Sequence, residues 1–474
     1  VNLAAKLNIN GKGVLVNEGT FNLNTNGEII VHNILRADSA QDSKGTVTQT
    51  AAITNNGGRF TRNANAYSEA RLREALSQTV PFAYNNISCL STVTLKADLT
   101  VPAGKALLIE DDNTNDQTFV TFTVPTDFTL TVDGQLYVSF ADLISLDNGT
   151  VTVDTGGELN IYEGGRFYSQ GYFNNNGKLE IIGRAFFIPQ EGIDFADQHR
   201  SFVNNSSIEV RNLLELGGCD VVNAASGTIT VYNGGTLGDY MSDIANSGTI
   251  NINNGGKLEL DRGGQLHNSN AINVAGQLLV TGNGGNLQNE SGGTITVTGV
   301  FNSHGVCLNL GTININGTLN AKPQGENDLN DSLLDDLGQP YLRRVVNNEG
   351  IINVAGALHL GLTTLNNKTT GSIVIANDGL VDTGMCDINN ENNFTIQGGG
   401  TLSLEGGGQF LNTKNIIVVA SGVFNIKDGG SLQKGEGGLD SITNNGTITI
   451  FANAGGYTAP TTFTGTPVVD ERQP

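Results

Sequence analysis

Glu180 and Glu209 are the residues best placed to do chemistry. Each is the middle of an alternating triplet, Leu179-Glu180-Ile181 and Ile208-Glu209-Val210. If those triplets stack as neighbouring strands, the two carboxylates stand about 5 Å apart, the separation of a retaining glycosidase pair. The following triplets carry Thr230 and Asn251 at the same position, with no acidic or aromatic groove around them. The pair alone therefore predicts no catalytic residue, and the chain is expected not to be an enzyme.

Metal chemistry has one weak candidate. Asp111, Asp112, Asn113, Asn115 and Asp116 form an oxygen-rich loop, and calcium favours such donors. Asp111, Asp112 and Asp116 are the ligands such a site would use. The loop lacks the spacing and terminal glutamate of an EF-hand, so a solvated polar turn is the plainer reading and no cofactor is expected. His32, His199, His267, His304 and His359 are scattered. Cys89, Cys219, Cys307 and Cys386 form no C-x-x-C, which argues against zinc.

The elements that carry these residues show best between Gly248 and Asn268, which reads G-TINI-NNGG-KLEL-DRGG-QLHN. Three short alternating runs are separated by Asn/Gly clusters. Alternation marks strands with one buried face, and Asn and Gly accept the positive φ of tight turns. The pattern returns after about 21 residues, the signature of one coil of a β-solenoid.

One apolar pair, written I-x-V, tracks the period. It falls at Val151/Val153, Leu179/Ile181, Ile208/Val210, Ile229/Val231, Ile250/Ile252, Ile272/Val274 and Ile295/Val297. It goes on at Ile313/Ile315, Ile352/Val354, Ile373/Ile375, Phe394/Ile396, Ile417/Val419 and Ile448/Ile450. Asn246, Asn268, Asn289 and Asn309 recur at matching turns and predict a side-chain ladder along the axis.

Bulk properties agree. The 474 residues carry a formal charge of −21, with 63 Gly, 15 % charged residues and no Trp. The acidic balance argues against nucleic-acid and anionic-membrane partners. No apolar run reaches the roughly 18 residues of a membrane helix, so no membrane insertion is expected. Coils stack about 4.8 Å apart, and about three or four coils separate Cys219, Cys307 and Cys386. That exceeds the Cα limit of about 7 Å for a disulfide, so buried thiols are expected, with cross-links between subunits as the alternative.

Taken in order, residues 1–33 read as a strand-rich arm and 34–65 as a polar linker. Tyr67–Leu76 reads as a helix, with Leu72 and Leu76 on one face and Ser68 as N-cap. Residues 66–140 are then helix and first coils, 141–454 the main solenoid, and 455–474 a Thr/Pro tail whose stretch 461–469 could add a last strand. Loops are expected at 182–200 and 321–345, the latter with a short amphipathic helix.

The helix followed by STVTLKADLTVPAGKALLI resembles the N-terminal cap and first coils of pectin-lyase-like right-handed parallel β-helices, over residues 66–140. The Asn/Gly-punctuated coils that follow resemble bacterial haemagglutinin-type and autotransporter β-helices. The resemblance implies an all-β, right-handed parallel β-helix whose helix covers the first coil, and an extracellular or cell-surface bacterial protein. Lyase chemistry in that family calls for stacked acidic calcium ligands with an arginine. Arg211 is present, but no third acidic residue falls in register.

Strand-like sequence before a capping helix is an odd order. It leads to the expectation that residues 1–33 dock on a neighbouring copy, through Val14, Val16, Phe21, Leu23, Ile29 and Val31, giving a head-to-tail surface or matrix fibre. The alternatives are an adhesin taking glycans or other surface proteins on lateral loops and, further off, a polysaccharide lyase or hydrolase.

Overall fold

A computed structural model describes the chain apart from residues 1, 4–5, 10–13, 18–20, 25–27, 36–41, 45, 50–52, 57–58, 79–84, 112–118, 189–200, 283, 322–343, 436–439 and 473–474. It is an all-β, right-handed parallel β-helix built from three parallel sheets. Two compact units divide it, Val1–Leu214 and Glu215–Pro474.

In the second unit the I-x-V pairs sit one above another. Ile250 pairs in register with Ile229 and Ile272, and Ile295 with Ile272 and Ile313. All are buried, while the residue between each pair faces outward, as period-2 geometry requires. Each coil contributes one strand to each sheet, as Thr249–Ile252, Lys257–Asp261 and Gln265–Asn268 do. Glycine is obligatory at one corner. A Cβ on Gly299 would meet the Gly276 carbonyl oxygen at 2.3 Å, one on Gly317 the Gly299 oxygen at 2.3 Å, and one on Gly356 the Gly317 oxygen at 2.1 Å. Coils touch there backbone to backbone.

Three register assignments differ from the sequence expectation. Ile416 and Val418 are buried, whereas Ile417 faces outward and Val419 is 38 % exposed. The run Ile416–Val419 is apolar on both faces, so only pairing with Asn393–Ile396 sets its phase. Ile448/Ile450 lies in the second sheet, against Phe424 and Ile426, and Ile442 takes the first-sheet position. Val151/Val153 belongs to the third sheet of its unit, beside Leu130 and Val132. Within the tail, Gly456–Tyr457, Thr462–Gly465 and Val469–Asp470 each extend one sheet, as a further coil would.

The first unit departs further. Described strands between residues 2 and 66 stack in parallel, including Thr46–Gln49, Ile53–Asn56 and Arg59–Ala66 in the stretch expected to be a linker. Lys6–Ile9 pairs in parallel with Glu28–Leu35, which pairs with Arg59–Ala66, which pairs with Asn86–Cys89. Val14–Asn17 pairs with Thr46–Gln49, and Phe21–Asn24 with both Asn2–Leu3 and Ile53–Asn56. The polarity of 34–65 hid these strands, because Asn and Thr runs alternate without a visible apolar face.

The helix forms where expected, over Glu69–Ser77. Ser68 Oγ accepts from Arg71 N at 3.4 Å, and Leu72, Ala75 and Leu76 are buried. Lys105 Nζ donates to the last-turn carbonyls of Ala75 and Leu76 and to that of Gln78 at 2.7 Å. Arg73 donates to Ala97 O at 2.6 Å and Asp98 O at 2.7 Å, beside the third-sheet strand Leu99–Val101. The helix therefore packs against Arg59–Ala66 and Asn86–Cys89 of the first sheet and Leu99–Val101 of the third.

The expected loops fall mostly outside the described residues. Within 182–200, Arg184–Phe187 is a strand of the second sheet, and 189–200 is not among the described residues. Residues 322–343 interrupt the second unit without shifting its register, since Ile313 pairs directly with Ile352.

Candidate functional site

Glu180 and Glu209 are register partners in the first sheet, as the alternating triplets imply. The strands also place two cations against them. Lys178 Nζ lies 3.2 Å from Glu180 and 3.4 Å from Glu209, and Arg211 lies 2.8 Å from each. Burial pushes the Glu180 carboxyl up, but hydrogen bonds from Arg211 and Lys178 outweigh it and hold the group below the usual carboxylate range. A retaining pair needs one carboxyl kept protonated near neutral pH, and this pairing favours the ionised form. The four charges form a closed, neutral network on the wall. Because it is partly exposed, Glu180→Gln should change stability by less than about 1 kcal/mol, read as a urea midpoint that hardly moves. A shift of several times that would mean the network holds the coils together.

The other expected site residues do not converge. Asp111 is half-buried at the end of Ala106–Glu110, and Asp112 and Asp116 lie outside the described residues. Among the described residues no cluster of three or more His, Cys, Asp or Glu could hold a metal ion. His267 Nδ1 lies 3.2 Å from Glu290, and His359 Nδ1 lies 2.8 Å from Asp382. The four cysteines are free and buried. Burial pushes the thiol of Cys89 up to about 11 and those of Cys307 and Cys386 up to about 12.

Of the residues expected to face a neighbouring copy, Ile29 and Val31 are buried in their own coil, between Lys6–Ile9 and Arg59–Ala66. Val14, Val16, Phe21 and Leu23 lie on strands whose backbones pair with later strands of the same chain. The described strands of the amino-terminal segment thus pair within the chain.

The interior of the wall carries what the sequence half disclosed. Asn223 Nδ2 donates to Asn246 Oδ1 at 2.7 Å, and the chain of amides continues through Asn268, Asn289, Asn309, Asn348, Asn367 and Asn390 to Asn412 at 2.7–2.8 Å. All nine are buried at the corner between third and first sheets. Each amide that donates upward also donates to a turn carbonyl, as Asn289 does to Thr312 O at 3.1 Å. The amides of this ladder are thereby satisfied from coil to coil, which is what lets asparagine occupy the core at this corner.

Sequence reasoning missed a cluster in the first unit, at the corner between first and second sheets. Phe119, Phe140 and Tyr162 are 42, 57 and 39 % exposed. Tyr137 and Tyr162 stack with ring centroids 5.5 Å apart and planes 4° apart. On the adjoining face Tyr168 and Phe186 stack at 5.0 Å and 11°. Arg166 lies between the groups, 4.5 Å from the centre of the Phe119 ring, and is held by Asp142 through two hydrogen bonds of 2.6 and 2.8 Å. A usable signal existed: Phe119 and Phe140 are one coil apart at the same corner position.

No family model matches this chain, and no curated protein does. Among solved structures, the crystal structure of a TibC-catalysed hyper-glycosylated TibA fragment covers 80 % of this chain and 98 % of that fragment. Identity over the match is 13 % and the TM-score is 0.28, a likeness that assigns neither family nor activity.

Proposed function

We propose that this chain is an extracellular structural β-solenoid, a component of a cell surface or matrix whose working part is the wall itself. One observation carries the reading: among the described residues, the polar groups that the sequence singled out bond within the wall. The asparagines bond coil to coil, and the Glu180/Glu209 pair is neutralised by Lys178 and Arg211. Such a lattice supplies persistence and regular spacing, the properties asked of a scaffold.

Head-to-tail docking through Ile29 and Val31 would require both side chains to leave the interior, so the proposal does not use those two residues for docking. Antibody raised against the chain should label intact source cells or their matrix without permeabilisation. Labelling that appears only after permeabilisation would remove the surface assignment. Ile29→Asp tests the cis arrangement. A buried, unpaired carboxylate should expose residues 28–66 to hydrogen exchange while the sedimentation coefficient of the monomer is kept. Dissociation of a wild-type polymer by the same variant would restore the docking role.

A further inference from the structure

We infer that the aromatic corner of the first unit is a binding platform for a neutral glycan. This goes beyond the scaffold reading, which stands whether or not the glycan binds.

Three observations point there. The first is the geometry of the rings. Phe140 sits at φ 46°, and a Cβ on Gly164 would fall 2.4 Å from its Cδ1 and 2.7 Å from its Cε1. The ring therefore rests on the backbone of the next coil, where only glycine admits it, and is more than half open to solvent. Tyr137, on the same coil as Phe140, lies nearly parallel to Tyr162 on the next. Coils repeat about every 4.8 Å, so flat apolar surfaces recur at a spacing comparable to one sugar residue.

The second is the set of polar groups that flanks the rings. Asp142 and Arg166 stand between Phe140 and the Tyr168/Phe186 stack, and Gln135 and Glu158 lie on the far side of Tyr137, with Gln135 Nε2 donating to Glu158 at 3.1 Å. A flat apolar protein face would desolvate these groups without partners. A pyranose ring offers a C–H face to the aromatics and hydroxyls to the polar groups at once.

The third is charge. The Arg166 guanidinium is matched by Asp142, so it is not available to an anion; one coil on, Lys178, opposite Glu158, is already held by Glu180 and Glu209, and Arg184 adds a positive charge. Glu158 and Glu163 oppose it on a chain of net charge −21. Polyuronates are disfavoured and uncharged polysaccharides are not.

The whole chain would be run by affinity electrophoresis through gels containing mixed-linkage β-glucan, xyloglucan, galactomannan, glucomannan, amylose or polygalacturonate. It would also be titrated with chitohexaose, with tyrosine fluorescence as readout in a protein that has no Trp. At least one neutral probe should bind, and polygalacturonate should not. Phe140→Asn, which suits a positive φ, and Tyr162→Ala should each weaken binding about tenfold with the melting curve unchanged. The inference is overturned if no neutral probe binds, if both variants bind as wild type, or if polygalacturonate binds best. It is equally overturned if the variants abolish self-association and alter no glycan retardation, which would assign the corner to a second copy.

Discussion

Asn289→Leu should destabilise the second unit by about 3–5 kcal/mol. The substitution removes donors to Asn309 Oδ1 at 2.8 Å, Thr312 O at 3.1 Å and Gly293 O at 3.2 Å, and the acceptor that Asn268 Nδ2 uses at 2.8 Å. Each group left buried without a partner costs roughly 1–3 kcal/mol, and leucine's added apolar area offsets only part of that. Outward stacks give the contrast. Asn273 Nδ2 donates to Asn251 Oδ1 at 2.9 Å in an exposed setting, and Asn273→Ala should cost less than about 0.5 kcal/mol. Hydrogen exchange resolved by peptide is the measurement, because stacked coils open locally. Protection should fall in the coils on either side of residue 289 and recover with distance. Equal effects from the two substitutions would mean the buried ladder adds nothing beyond a surface stack.

Asp239→Asn should stabilise the protein at neutral pH and remove a pH dependence. Asp239 points inward where the next coils carry Leu260 and Val280. Its Oδ1 accepts from Ser242 N at 3.1 Å, while Oδ2 has no partner. Burial, opposed only partly by the Ser242 bonds, pushes the carboxyl up to about 8 from 3.8. Below pH 3.8 both folded and unfolded states are protonated and the group costs nothing. Between there and about 8 the unfolded chain ionises while the folded one does not, so stability falls by roughly 1.4 kcal/mol per pH unit. At pH 7 the accumulated loss is about 4 kcal/mol, which the uncharged amide avoids. The difference in urea midpoint between variant and wild type should be near zero at pH 3 and widen steadily to pH 8. A difference that stays constant over that range would show that Asp239 does not titrate in this way.

The two residues illustrate what was readable beforehand. The ladder was half legible, since Asn246, Asn268, Asn289 and Asn309 recur with the coil and the turn geometry requires it. Its extension to Asn223 and Asn412 was harder to see across the interruption at 322–343. Asp239 was not legible, because Gly238-Asp239-Tyr240 reads as a turn until pairing with Glu259-Leu260-Asp261 turns it into a strand. Phase failed at Ile416–Val419 for a related reason: four apolar residues in a row carry no period-2 information. Sheet identity failed at Val151 and Ile448 because all three strands of a coil share one pattern. The helix was recognised from its own residues, because Ser68 as N-cap and Leu72 with Leu76 on one face are local signals. The aromatic corner escaped because turn positions were searched for glycine and asparagine.

The sealed thiols give the molecule an indifference that its sequence does not advertise. With Cys89, Cys307 and Cys386 buried and their ionisation suppressed, neither an oxidant nor a partner's sulfhydryl finds a nucleophile while the coils stay closed. A protein built this way can move between reducing and oxidising surroundings without altering its covalent structure. Its slow consumption of a thiol reagent then becomes a clock, ticking only when a stretch of wall breathes open, and Cys89 keeps time for one unit as Cys307 and Cys386 do for the other.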